Sequence, residues 1–233
     1  MAQTQNTVVP IHLGLILDGN RRWARANGVP LIEGHRRGYQ NLKTILKATS
    51  KRKIKYVSAY VFSTENWSRS TDEVKQLMRL LLWILKHETQ EINREGFRIR
   101  VIGSKLRVGK SIIKAIHEAE ELTKNNKRGT LLLCLDYGGH QEIVEAVKKI
   151  VKSGVRPETI NAELISSNLY APDVPPVDLI IRTSGEQRLS NFMLWESAYS
   201  ELLFVKGYWP DFSENDLDDA LEYYRSTKRR FGK

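Results

Sequence analysis

The feature that most constrains this chain is the alternation of short apolar runs with longer amphipathic segments. Apolar runs occupy residues 12–17, 56–62, 97–102, 131–135, 179–181 and 202–205, and helix-length segments separate most of them. Strands without a polar face need cover on both sides, and a chain that returns through a helix after each strand lays its strands parallel. The pattern predicts an α/β fold: a single domain whose mostly parallel central sheet of about six strands is flanked by helices. Helices are expected near 34–50, 71–93, 110–124, 141–153, 162–168 and 214–230. Gly154 closes the fourth, and Ser213 with Asp216 supplies a cap pattern for the last. Residues 1–11 read as a flexible N-terminal segment and 12–233 as one domain, since no Pro/Gly/Ser-rich linker or internal repeat divides them.

In sheets of this kind ligands bind beyond the carboxyl ends of the strands. The first run is followed by Asp18-Gly19-Asn20-Arg21-Arg22 and the second by Ser63-Thr64-Glu65-Asn66-Trp67-Ser68-Arg69. Asp136-Tyr137-Gly138-Gly139 follows the fourth, and Arg182 to Asn191 the fifth. Turn chemistry accounts for one such sequence. Four strand ends that offer carboxylate, amide, hydroxyl and guanidinium to one rim point to a phosphate-handling site instead. Asp18 beside two planar, permanently charged forks is a place to hold a metal and a phosphate together. Gly34-His35-Arg36-Arg37-Gly38 reads as a helix start, where free amides and the dipole favour an anion. The formal charge of +10 agrees with an anionic partner, which nucleic acid, lipid headgroups and phosphorylated small molecules all satisfy.

Several classes are disfavoured. The segment 103–111 has five residues between its glycines where a P-loop has four, which puts its amides out of register. The five histidines show no paired metal spacing. Cys134 is the only cysteine and lies in an apolar run, so it reads as a core residue in a reducing, cytoplasmic protein. The basic cluster at 51–55 lacks interleaved aromatics, and no nucleic-acid partner is expected. No apolar run approaches the roughly 18 residues of a membrane span. Residues 80–85, apolar on every side, read as buried core, with the wall of a hydrocarbon pocket as the alternative.

The stretch from His12 to Trp23, Gly34-His35, Phe62 to Trp67 with Arg69, Tyr137-Gly138-Gly139 and Asp178 to Phe192 resemble, in order, the signature regions of the cis-prenyltransferases of the undecaprenyl diphosphate synthase type. The resemblance extends from His12 to the Arg230-Phe231-Gly232 ending, and the aspartate-rich motif of the all-helical trans-prenyltransferases is absent. It implies a transferase that condenses isopentenyl diphosphate head-to-tail onto an allylic diphosphate, with farnesyl diphosphate as the starter, to make a polyprenyl diphosphate with cis double bonds. It also implies Mg²⁺, an apolar tunnel walled in part by 80–85, peripheral contact with a membrane through the lipid product, and a homodimer in which Arg230-Phe231-Gly232 reaches the partner's site.

By the same resemblance Asp18 binds Mg²⁺ and assists departure of diphosphate, and Glu201 is the second metal ligand. Gly19, Asn20, Arg21, Arg22 and Trp23 form the first diphosphate loop, with His35 beside it. Ser63, Thr64, Glu65, Trp67 and Arg69 form a substrate loop. Asn66 belongs to the proton-removal step; a neutral amide is a poor base, so it reads as positioning the acceptor. Arg182, Arg188, Leu189 and Ser190 form the isopentenyl diphosphate site. Leu31 stands where many members have an arginine, with Arg36 or Arg37 as replacement or a different preferred allylic starter as the alternative; Gln187 and His140 are lesser departures. Two other readings are a non-catalytic partner subunit of the same fold and a basic nucleic-acid-binding domain.

Overall fold

The computed structural model describes residues 9–227. In chain order the strands are β1 (His12–Ile16), β2 (Tyr56–Ser63), β3 (Phe97–Ile102), β4 (Gly129–Tyr137), β5 (Leu179–Arg182) and β6 (Glu201–Phe204). The helices are α1 (Asn20–Ala26), α2 (Leu31–Lys51), α3 (Thr71–His87), α4 (Thr89–Arg94), α5 (Lys110–Thr123), α6 (Gly139–Lys152), α7 (Ala162–Ser166) and α8 (Glu214–Ser226). The strands form one sheet in the order β3-β4-β2-β1-β5-β6, every neighbouring pair parallel. All five residues of β1 are buried, as a central strand covered on both faces requires.

The order of the strands decides where a ligand fits. From β1 the chain moves outward through β2 to the edge strand β3, comes back to insert β4 between β3 and β2, and then adds β5 and β6 on the other side of β1. The connections leaving β1 and β5 therefore part from each other, and the crevice between them opens at the carboxyl ends. On one face of the sheet Leu13, Leu15, Leu131 and Ile181 pack with Leu42 and Ile45 of α2 and Leu217 and Leu221 of α8. On the other Ile16, Leu132, Ile180 and Cys134 pack with Tyr137 and Phe192. Cys134 is a fully buried free thiol, the core residue its neighbours foretold.

Three helices differ from expectation. Residues 20–26 form α1 where only a turn is legible, because Gly19 at φ 106° redirects the chain into it. α2 starts at Leu31 behind Pro30, three residues earlier than expected. The long helix divides at Glu88 into α3 and α4. The band at 80–85 is not buried all round: Leu85 is buried, but Trp83 is 45% exposed and stacks on His87 at 5.2 Å. No helix among the described residues is long and apolar enough to cross a membrane. Arg230-Phe231-Gly232 and most of the N-terminal segment lie outside the described residues.

Candidate active site

Asp18 sits two residues beyond the end of β1, and Arg182 is the last residue of β5, its register partner being Ile16. Arg182 Nη2 donates to Asp18 Oδ2 at 2.9 Å, Gly19 N–H to Oδ1 at 2.7 Å, and Arg22 Nη2 lies 3.3 Å from Oδ1. Burial alone pushes the Asp18 carboxyl up, but the hydrogen bond and charge of Arg182, then Arg22 and the Gly19 amide, outweigh it and hold the group below its ordinary value. Asp18 is thus an anion kept ready between two guanidinium groups. Gly19 has room for no side chain, since a Cβ would meet Tyr208 at 2.9 Å.

The loop after β1 is pressed against α2. A Cβ at Gly34 would collide with the backbone oxygen of Asn20, and one at Gly38 with its side-chain oxygen. Gly34 to Gly38 is therefore a contact seam in the second turn of α2 and not a helix start with free amides, which corrects the expectation. His35, carried on that seam, faces the loop. Its Nε2 is buried without a hydrogen-bond partner, as is Asn20 Oδ1, while Arg21 Nε makes no hydrogen bond and only an ion pair at 3.5 Å to Glu73 Oε1. Burial first, and the charges of Arg69 and Arg21 next, lower the His35 pKa to about 4, so the ring is neutral at pH 7. Unpaired buried polar atoms are costly, and a cluster of them marks a place for an absent ligand.

Asp18, Gly19, Asn20, Arg21, Arg22, Arg25, His35 and Arg69 line one cavity of about 290 Å³. Arg36 and Arg37 are exposed outside it, and Arg36 is paired with Glu33 at 2.9 Å, whereas Arg25 and Arg69 line it. Trp23 is turned away, its indole N–H donating to Asp211 Oδ1 at 2.8 Å. Arg21 and Arg69 are both held by Glu73 Oε1, at 3.5 and 3.1 Å. Glu73 was hidden from sequence reading because it completes the capping pattern with Ser70, which explains it without a site.

The Ser63 to Arg69 loop follows β2. Ser63 N–H donates to Asn66 Oδ1 at 3.2 Å, which fixes the amide that lines the neighbouring apolar cavity. Trp67 donates its indole N–H to Asp136 Oδ1 at 2.7 Å, and Arg107 Nη2 reaches the same oxygen at 2.7 Å and Thr64 O at 3.4 Å. Asp136 is fully buried, so it anchors this loop from beneath. Glu65 is exposed and accepts from Asn191 Nδ2 at 3.0 Å.

At the β5 end, buried Arg182 also donates through Nη1 to Ser190 Oγ at 2.8 Å and to the Arg188 carbonyl, while its Nε has no partner. Arg188 is 60% exposed at the rim and paired with Glu186 at 2.7 Å; Arg22 shares Glu186 at 3.1 Å and also donates to Ser184 Oγ. Leu189 packs against the Tyr137–Phe192 cluster. Glu201 is not brought to this corner. It opens β6, paired with Leu179 at the amino edge of the sheet, while Asp18 lies past the carboxyl edge. Three strand residues, roughly 10 Å of chain, separate Glu201 from the level of Arg182. Within one chain Glu201 thus stands on a different level of the sheet from Asp18, and no cluster of three metal-binding side chains occurs among the described residues.

Beneath the anion cavity runs a second one of about 180 Å³, walled by α2, α3, α4 and the sheet through residues such as Leu42, Leu77, Met78, Leu81, Ile84 and Leu133. Leu17, Asn20, His35 and Arg69 line both cavities. A basic, hydrogen-bonding corner therefore opens directly onto an apolar one.

Residues 16–232 match the family described as "Putative undecaprenyl diphosphate synthase". Isoprenyl transferase 2 of Bradyrhizobium diazoefficiens is 45% identical over 227 residues, covering 96% of this chain and 90% of that protein. A trans,polycis-polyprenyl diphosphate synthase of Thermobifida fusca, named (2Z,6E)-farnesyl diphosphate specific, is 41% identical and covers 99% and 83%. The crystal structure of lavandulyl diphosphate synthase from Lavandula x intermedia in complex with dimethylallyl diphosphate superposes with a TM-score of 0.92 at 38% identity, covering 97% and 99%. Sequence and fold agree along nearly the whole chain, and a guanidinium-lined corner above an apolar cavity is what enzymes handling prenyl diphosphates require: the chain belongs to the undecaprenyl diphosphate synthase family of prenyltransferases.

Proposed function

We propose that this enzyme condenses isopentenyl diphosphate head-to-tail onto an allylic diphosphate, farnesyl diphosphate being the starter, to form a polyprenyl diphosphate with cis double bonds. The observation that carries the reading is the pair of cavities sharing Leu17, Asn20, His35 and Arg69, which suits a molecule with an anionic head and a hydrocarbon tail. Arg21, Arg22 and Arg69 face the head, and the neutral His35 ring can donate to it from Nε2, which has no hydrogen-bond partner within the protein. When the allylic carbon–oxygen bond breaks, negative charge grows on the departing diphosphate, and fixed cations that need no reorganisation lower the barrier.

A divalent cation fits beside Asp18: Mg²⁺ is commonly held by one or two carboxylates plus substrate phosphates, and Asp18 is one ionised carboxylate facing the phosphate cavity. Bound there, Mg²⁺ would neutralise charge on the leaving diphosphate. Arg182 holds the Asp18 carboxylate in place, and with Ser190 and rim Arg188 forms the seat for the second diphosphate. The isopentenyl double bond supplies the electron pair for the new carbon–carbon bond. The proton then lost goes to the departing diphosphate, with Asn66, fixed by Ser63, orienting the acceptor. The hydrocarbon product occupies the apolar cavity, which serves as the tunnel. The working unit is a homodimer completed by Arg230-Phe231-Gly232, in the cytoplasm and meeting the membrane through its lipid product.

The test is the purified chain with Mg²⁺, isopentenyl diphosphate and farnesyl diphosphate, followed by chromatography of the dephosphorylated products against prenol standards. A series of lengthened prenols is expected. No turnover by a folded chain would instead indicate a partner subunit that does not itself catalyse.

A further inference from the structure

The two sides of α3 differ in chemistry. Leu77, Met78, Leu81 and Ile84 line the apolar cavity from its inner side, and Glu73 is turned to Arg21 and Arg69. Lys75, Arg79, Trp83 and Lys86 are exposed on the outer side, and at 3.6 residues per turn they share an arc of roughly 80°. The three cations span roughly 16 Å of helix, with Asp72 in the first turn as the acidic residue on that face. None of the three forms an ion pair among the described residues. Lys75 and Arg79 stand four apart, where like charges repel, in contrast to Arg69 and Glu73, which pair at that same spacing. Trp83 projects among them, with the His87 ring stacked on its own and His87 Nδ1 at 2.9 Å from the Trp83 carbonyl.

Unpaired cations around an exposed indole match the surface of an anionic bilayer. Headgroup phosphates neutralise lysine and arginine near the surface, and an indole settles at the boundary between headgroups and acyl chains. An acidic protein would also answer the charges. The bilayer is favoured because the inner side of this same helix lines the apolar cavity: a membrane laid against α3 comes within one helix diameter, roughly 10 Å, of the hydrocarbon. We propose that the outer face of α3 docks the enzyme on an anionic lipid bilayer, with Lys75, Arg79 and Lys86 on the headgroups and Trp83 at the acyl boundary. This docking face rests on the reading above that the apolar cavity holds a prenyl lipid.

The experiment is co-sedimentation of the full chain with vesicles of phosphatidylcholine, alone or mixed with phosphatidylglycerol, every variant being checked for folding by thermal melting. Wild-type protein is expected on the mixed vesicles only, and the triple variant Lys75→Glu, Arg79→Glu, Lys86→Glu should bind them about a hundredfold more weakly. Lys127→Glu, Lys152→Glu, Arg156→Glu changes the net charge equally at exposed positions elsewhere and should bind as wild type does. Acyl chains labelled with bromine should quench part of the wild-type tryptophan fluorescence, and that part should vanish in Trp83→Phe. Absence of binding to mixed vesicles, equal binding by the α3 variant, or equal quenching in Trp83→Phe would overturn the docking face. Tight capture of heparin through the same three cations, without quenching by the vesicles, would overturn it in favour of an acidic protein. Prenyl elongation in detergent solution should be unchanged in all the variants, since none of these side chains lines either cavity. A wild-type chain that makes no elongated product there would overturn the functional reading, whereas vesicle binding decides the docking face.

Discussion

Single residues divide here into those that meet the ligand and those that let the chain reach it. Asp18 is of the first kind, and Asp18→Ala should lower kcat by about a thousandfold or more while leaving the circular dichroism spectrum unchanged. Its depressed pKa contributes stability above the ordinary carboxyl value, and that stability is lost as pH falls through the folded value. His35, with a pKa of about 4, should show a ring titration midpoint below pH 5 by NMR in the free protein. Adding inorganic diphosphate should raise that midpoint, because an anion compensates the imidazolium that Arg21 and Arg69 disfavour. Gly38 is of the second kind. Gly38→Ala has nowhere to put its methyl except into the Asn20 side chain, and overpacking of this sort costs about 1–3 kcal/mol. For a chain of this size that lowers Tm by about 2–4 °C per kcal/mol, readable by calorimetry.

At the scale of elements, the site is assembled by partners that hold loops still. Asp136, fully buried at the end of β4, gathers the Trp67 indole and the Arg107 guanidinium under the substrate loop. Removing it by Asp136→Ala strands those donors, and a loss of about 1–3 kcal/mol in denaturant unfolding is expected. The same variant should raise KM more than it lowers kcat, since the loop it frees is one that positions substrate. The residues of this loop were legible as a strand end rich in polar groups, and Asp136 stood in another such strand end. That the two meet was not legible, because 69 residues separate Trp67 from Asp136. Glu73 is a further case: its backbone serves the helix cap with Ser70 at 3.4 Å, and its carboxylate serves Arg21 and Arg69.

For the molecule as a whole, the face of the sheet away from the cavities carries a buried acidic pair. Glu142, 2% exposed, accepts from the Tyr137 hydroxyl and from Tyr170 N–H at 2.9 Å. Burial first, and the charge of Glu142 next, push the Glu196 carboxyl up to about 8 from its ordinary 4.5. A carboxyl whose folded pKa is raised binds its proton more tightly when folded, so its contribution is fully present below 4.5 and is lost as pH rises through about 8. Wild-type protein should therefore lose Tm between pH 5 and pH 8.5 relative to Glu196→Gln, whose amide does not titrate. Equal pH dependence in the two proteins would refute the assignment.

What the amino-acid sequence determined by itself was local in origin. The apolar runs, the caps and the crossover lengths set six parallel strands with helices between them, and they put Asp18, Asn66 and Arg182 at strand ends. The tertiary structure alone decided the rest. It made Gly34 to Gly38 a seam against Asn20, left Trp83 45% exposed, and brought Arg21 and Arg69 together on Glu73. Each of these depends on register and close approach between segments far apart in the chain, as when Arg182 meets Asp18 across 164 residues. Periodicity and capping chemistry act over a few residues, so they specify the elements; which side chains share a cavity follows only once those elements are packed.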